Sequence, residues 1–171
     1  MPTLQTLLLF ATAALAVAVI PGPTMLLALA NGMGGGLRRA AWGMAGANLG
    51  SATVIAVVAV GLGSLMLASA WLFEAVRAAG VLYLLWLAVQ LWRAPVTDLR
   101  ATLPGVAGRA VQGRAALLRS LGVALTNPKA LLFFAAFLPQ FVDPARPAAL
   151  QYAVLGALFV GGQIYEFTVF V

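Results

Sequence analysis

Five long apolar runs, separated by short polar stretches, leave this sequence one class of fold. They extend over Leu4 to Asn31, Ala40 to Ser69, Trp71 to Trp92, Ala115 to Val142, and Ala148 to Val171. A helix needs about 20 residues to cross a hydrocarbon layer roughly 30 Å thick, and each run is long enough. Composition agrees: 63% of residues are apolar and 8% charged, whereas a water-soluble domain carries roughly a quarter of its residues as charges. In lipid, backbone polar groups must be satisfied inside the protein. The expected fold is all-α, a polytopic helical membrane protein with five spans.

The connecting segments set its orientation. Arg38 and Arg39 lie between the first two runs. Arg93, Arg100, Arg109, Arg114 and Arg119 surround the start of the fourth, opposed only by Asp98. Two spans separate these basic segments, so they share one side of the membrane. The other side carries Glu74 with Arg77 and Asp143 with Arg146. The positive-inside bias therefore predicts cytoplasmic loops at 32–39 and 93–114, with the N-terminus outside. Residues 1–95 read as a three-helix repeat and 96–114, rich in Pro and Gly, as a flexible cytoplasmic connector. Residues 115–171 read as a second repeat with two spans.

Several functions are excluded at this level. The net charge of +6 arises from residues placed to set topology, and no basic-aromatic surface for nucleic acid can be built from them. With no Cys and no His, disulfides and thiol or imidazole metal sites are ruled out. Four scattered carboxylates do not make a metal cage or a catalytic acid–base pair, so neither a cofactor nor an enzyme is expected. Ala14-Leu15-Ala16 looks like a leader-cleavage site, but Met1 to Thr6 carries no basic residue and the apolar run resumes after Pro23. The first run is read as a retained span. Trp71, Tyr83, Trp86 and Trp92 read as interface and packing aromatics. Gly43, Gly46, Ala47 and Gly50 form a small-residue stripe that admits another helix closely. That helix is expected within the same bundle, with a homo-oligomer seam as the alternative.

The first and fourth runs hold the candidate site. Each is 28 residues long, about 42 Å as a straight helix, and each has proline in its middle. Aligning Pro23 of Pro21-Gly22-Pro23-Thr24 with Pro128 of Asn127-Pro128-Lys129 puts a Leu-Leu pair three residues after each break. Because the first half holds three spans, an odd number, the halves enter the membrane from opposite sides. This is a 3+3 inverted-repeat design, which secondary transporters use for alternating access. Proline removes a helical hydrogen bond, and the helix resuming after a break starts with unpaired N–H groups that suit an anion. Lys129 stands at such a start, where a cation opposes the helix dipole, so an amino acid's carboxylate is expected to join it. The competing reading makes the prolines ordinary kinks and lets Lys129 extend to the surface. Further candidates for the path are Asn48 and Ser51, three apart on one helix face, and Gln163 and Glu166. Glu166 reads equally as a proton carrier or as a wetted end residue.

At these residues the chain resembles the lysine/homoserine/threonine exporter (LysE/RhtB) family. The resemblance rests on Pro21-Gly22-Pro23-Thr24, on Gly80-Val81-Leu82-Tyr83-Leu84-Leu85-Trp86-Leu87, and on Thr126-Asn127-Pro128-Lys129-Ala130 leading into Phe133-Phe134-Ala135-Ala136-Phe137-Leu138-Pro139-Gln140-Phe141-Val142. It covers nearly the whole chain. It implies a secondary transporter in the bacterial inner membrane that exports amino acids or related small metabolites, driven by a proton or other ion gradient. The chain departs from the family in two ways. Ser51 and the neighbourhood of Gln163 are neutral where members often carry acids. Members also have six spans, whereas this chain stops at Thr168-Val169-Phe170-Val171, still apolar, so a sixth span is expected to be missing. The alternative is a non-transporting membrane scaffold or assembly module, which accounts for the glycine stripe but not for the paired breaks.

Overall fold

Every regular element among the described residues is a helix. The structure, a computed structural model, describes residues 2–19, 22–93 and 113–170. Pro21 and residues 96–112 of the predicted connector lie outside them. In order, the elements are α1 (Leu4–Val19), α2 (Pro23–Ala68), α3 (Ala70–Arg93), α4 (Gly113–Thr126), α5 (Pro128–Phe137), a 3-10 turn (Leu138–Phe141) and α6 (Ala148–Phe170). Small polar residues start several of them. Thr3 caps α1 through its Oγ1, which accepts from the Thr6 N–H at 3.1 Å. Ser69 separates α2 from α3 and accepts from the Leu72 N–H at 3.3 Å. Such caps satisfy donors that the first turn leaves unpaired.

Two expectations about boundaries need correction. The segment 32–39 is not a loop, because helix continues on both sides of a kink at Gly36, whose φ is 66° and ψ is −174°. That backbone region is essentially closed to residues with a Cβ. The run of glycines looked like a flexible connection, yet the chain spends only one residue on the change of direction. The last two residues assigned to the connector, Gly113 and Arg114, already belong to α4. Replacing Gly36 by Ala is expected to cost about 1–3 kcal/mol, seen as a lowered thermal midpoint of the detergent-solubilised chain; an unchanged midpoint would mean that the kink is not held.

The breaks in the first and fourth runs are present. The first run divides between α1 and the arm of α2 at 23–35. The fourth divides at Asn127, where α4 and the α5-turn segment meet at 51°. Among the described residues, two helices are by length and composition able to cross a membrane, Gly35–Gly61 and Ala148–Val169, and the bent pair makes a third if it is taken as one span. These helices and their apolar exteriors make this a membrane protein. Trp71 and Trp86 are exposed, in keeping with an interface role; the side chains of Tyr83 and Trp92 lie outside the description.

The glycine stripe of α2 is a seam within the chain. A Cβ at Gly46 would fall 2.1 Å from the Leu117 carbonyl oxygen of α4, and one at Gly50 would fall 2.5 Å from Ala124 Cβ. Gly80 of α3 lies as tightly on Ala136 of α5, where an added Cβ would come within 2.5 Å of Cα. Close approach of this kind replaces the hydrophobic drive that lipid cannot supply. Above the seam, buried Asn31 donates to Ser120 Oγ at 3.4 Å and accepts from Arg39 Nε at 3.3 Å, tying both arms of α2 to α4. Aromatic packing joins the remaining helices. Phe10 of α1 meets Phe141 edge-on at 5.3 Å, and Phe134 of α5 meets Phe159 of α6 edge-on at 4.7 Å. Each such pair contributes about 0.5–1.5 kcal/mol beyond its burial. Of these rings, Phe159 also lines the cavity between the helix breaks.

Candidate functional site

The two helix breaks meet. Asn127, 6% exposed, occupies the position before α5 with φ −71° and ψ 108°, and its side chain accepts from the Lys129 N–H at 3.1 Å. This is a helix N-cap followed by Pro at the first helical position, where its missing N–H is harmless. The other end of the same amide, Nδ2, donates to Thr24 Oγ1 at 3.0 Å. One side chain thus starts α5 and fastens it to the first turn of α2, 103 residues away. Asn127→Ala is expected to destabilise the fold by about 1–2 kcal/mol, the cost of a lost cap, measured as a drop in thermal midpoint. Asn127→Asp keeps the cap, so it is expected to recover most of that loss.

Lys129 links the breaks a second time. Its ammonium donates to the carbonyl of Val17 near the C-terminus of α1, and its Cδ would lie 3.6 Å from a Cβ placed on Gly22. A cation at a helix C-terminus is favourable and satisfies a carbonyl left over by the end of the helix. The mismatch expected between Lys129 and the dipole of its own helix is therefore offset by the opposite dipole of α1. The Lys129 N–H is already taken by Asn127, so capture of an anion falls to the ammonium.

Around these contacts lies a cavity of about 80 Å³. Val17 and Gly22 reach it from the first break, Thr24, Met25, Ala28 and Leu29 from the first arm of α2, and Ser51 from its second arm. Asn127, Lys129, Ala130 and Phe133 come from the second break and α5; Phe159, Gln163, Glu166 and Phe167 come from α6. Among the described lining residues, Lys129 and Glu166 are the charged ones, one of each sign. Gln163 Oε1 is buried and accepts no hydrogen bond from the described residues.

Of the residues singled out from sequence, the structure gathers Gly22, Thr24, Ser51, Asn127, Lys129, Gln163 and Glu166 on one wall or another. Three others differ. The rings of Pro23 and Pro128 are exposed and do not line the cavity: proline matters here by shaping the backbone, while its neighbours supply the polar groups. Asn48 stands outside the lining, with its Oδ1 buried and unpartnered among the described residues. Pro21 lies outside the description. Sequence reading missed the apolar lining. Helical spacing from known members would have found it, since Phe159 is four residues before Gln163 and Phe133 four after Lys129.

Comparison with known proteins gives this arrangement a context. A leucine efflux protein of Enterobacter sp. (strain 638) is 36% identical over 128 residues, 74% of this chain and 59% of that protein. A homoserine/homoserine lactone efflux protein of Salmonella typhi is 38% identical over 138 residues, 80% and 64% respectively. An uncharacterized membrane protein of Vibrio cholerae is 36% identical over 137 residues, again 80% and 64%. The chain spans a little under two thirds of the length of these curated relatives. No solved structure matches it. The profile of the LysE type translocators extends over residues 15–171, from within α1 past both breaks and through α6. The chain belongs to the LysE type translocator family.

Proposed function

We propose that this protein is a secondary transporter exporting amino acids or related small metabolites across the bacterial inner membrane. The observation that carries the proposal is the cavity between the two breaks, with Lys129 and Glu166 facing it from different helices. A membrane helix is interrupted without cost only where protein or water satisfies the freed backbone, and charges inside a membrane are retained where a solute or ion needs them. Relatives named as efflux proteins for homoserine and for leucine support the same reading.

The transport cycle follows from an inverted repeat. In this reading α1 with the 23–35 arm corresponds to α4 with α5, and the 37–68 arm corresponds to α6, while α3 completes the first half. Packing supports that correspondence: the second arm of α2 lies against α4, and α6 lies against α1. Each half thus embraces the broken helix of the other, and rocking one against the other would expose the cavity to alternate sides. Five spans then cross the bilayer, with the N-terminus outside. Glu166 stands one turn beyond Gln163 on α6, so it returns an acid to the wall at which Ser51 and Gln163 are neutral. It serves as the group through which a proton or another ion is coupled.

The test of function is counterflow. The purified chain in liposomes preloaded with unlabelled amino acid should accumulate labelled amino acid from outside; no exchange for any amino acid would reject transport. The topology is tested separately, because the chain lacks native cysteine. Single cysteines at Arg38 and Arg114 should be labelled from the cytoplasmic face and one at Asp143 from the opposite face. Labelling of Arg38→Cys and Arg114→Cys from opposite sides would reject the mirrored design.

A further inference from the structure

We infer that the cavity recognises a zwitterion with an uncharged aliphatic side chain: its carboxylate on Lys129, its ammonium on Glu166 and Gln163 Oε1. The inference rests on the transport reading and narrows its substrate. Among the described residues the cavity wall carries one cation and one anion, so their charges balance before a solute enters. An α-amino acid backbone also carries one of each, and it satisfies both walls at once. A solute that carries only one of the two charges cannot.

The acceptors and donors agree with this orientation. A carboxylate and an amide oxygen accept hydrogen bonds, and an ammonium offers three N–H donors and no acceptor. Glu166 and Gln163 are three residues apart on α6, so they share a face, and Gln163 Oε1 is buried without a hydrogen bond from the described residues. On the facing helix, the Lys129 ammonium rests on the Val17 carbonyl. A carboxylate is a stronger acceptor than a neutral carbonyl, so an entering solute competes for that contact at the junction of the two breaks.

Specificity comes from the rest of the wall. Met25, Leu29, Phe133 and Phe167 line the space left for the side chain, and a third charge placed among them would be desolvated without a partner.

The test is competition against labelled leucine bound to the full chain in lipid nanodiscs. Unlabelled leucine and valine should compete, whereas lysine, glutamate, N-acetyl-leucine and leucine amide should each be about a hundredfold weaker. Glu166→Gln should weaken leucine about tenfold or more and remove most of the penalty on N-acetyl-leucine, which lacks the ammonium. Competition by lysine or N-acetyl-leucine equal to that by leucine would overturn the inference, as would the absence of binding by any amino acid. If Glu166→Gln fails to fold, the wild-type series decides alone. Selective leucine binding without counterflow would reject transport and leave the recognition standing; counterflow of lysine and leucine alike would do the reverse.

Discussion

Replacing Lys129 by Ala is expected to abolish transport while leaving most of the chain folded. Lys129 is the cation of the cavity, and the solute's carboxylate would lose its only positively charged partner among the lining residues. Truncating one member of a buried, hydrogen-bonded charge pair costs about 2–5 kcal/mol, and 2.7 kcal/mol is about a hundredfold in affinity. Counterflow of labelled amino acid should fall by about that factor or more, and cells carrying the variant should lose tolerance to toxic amino-acid analogues. The structural cost is smaller. The Val17 carbonyl loses its donor, a helix-terminus interaction worth about 0.3–1 kcal/mol when exposed and up to about 2 when partly buried. A shift of the thermal midpoint by a few degrees therefore accompanies a loss of transport that it cannot explain. Lys129→Arg separates charge from shape: it keeps the cation but brings a planar, longer head group, so partial transport is expected. Counterflow unchanged in Lys129→Ala would remove this residue from the site.

Much of this site was legible because its chemistry lies in rare residues. In a chain with one lysine and four carboxylates, a cation next to an interrupted apolar run stands out, and Asn127, Lys129, Gln163 and Glu166 all line the cavity. The roles of the prolines were only half legible. Backbone interruption follows from a missing N–H and a fixed φ, but nothing in that rule says whether the ring lines a cavity, and Pro23 and Pro128 are exposed and outside the lining. Lys129 is half legible for a similar reason: the helix that it begins is visible in the sequence, whereas its ammonium sits at the end of α1, whose position is a tertiary fact. The polar cluster of Asn31, Arg39 and Ser120 left no local signal at all, since Ser120 is 89 residues from Asn31. The segment 32–39 misled because a glycine run is read as loop by composition. Inside a packed bundle, glycines also serve to bring helices together, and here only Gly36 needs its unusual backbone.

Gly46→Leu is expected to yield no folded protein, the largest structural effect of any substitution considered. An added Cβ would lie 2.1 Å from the carbonyl oxygen of Leu117, 2.8 Å from its carbon and 2.9 Å from its Cα. These are backbone atoms of α4, and no rotamer change moves them. A carbon normally approaches a carbonyl oxygen to about 3.3–3.6 Å, so α2 and α4 must separate by about 1 Å for Ala and further for Leu. Overpacking in a rigid core costs about 1–3 kcal/mol and sometimes more, out of a total of roughly 5–15. The damage is not local. The same seam holds Gly50 against Ala124 and Asn31 against Ser120, and α4 ends directly at Asn127, whose amide fastens the second break to Thr24. Even where Gly46→Ala folds, a displaced α4 carries Asn127 and the start of α5 with it, so solute binding should weaken along with the thermal midpoint. Gly122→Ala is the matched control on α4. Nothing lies within 4 Å of its added Cβ, and helix propensity favours Ala by about 0.5–1 kcal/mol, so this variant should be neutral or slightly stabilised. Monodisperse yield in size-exclusion chromatography and thermal unfolding in detergent read both effects. Gly46→Leu eluting and melting like the parent would mean that α2 and α4 do not touch at this seam, and the cavity built on their contact would have to be redrawn.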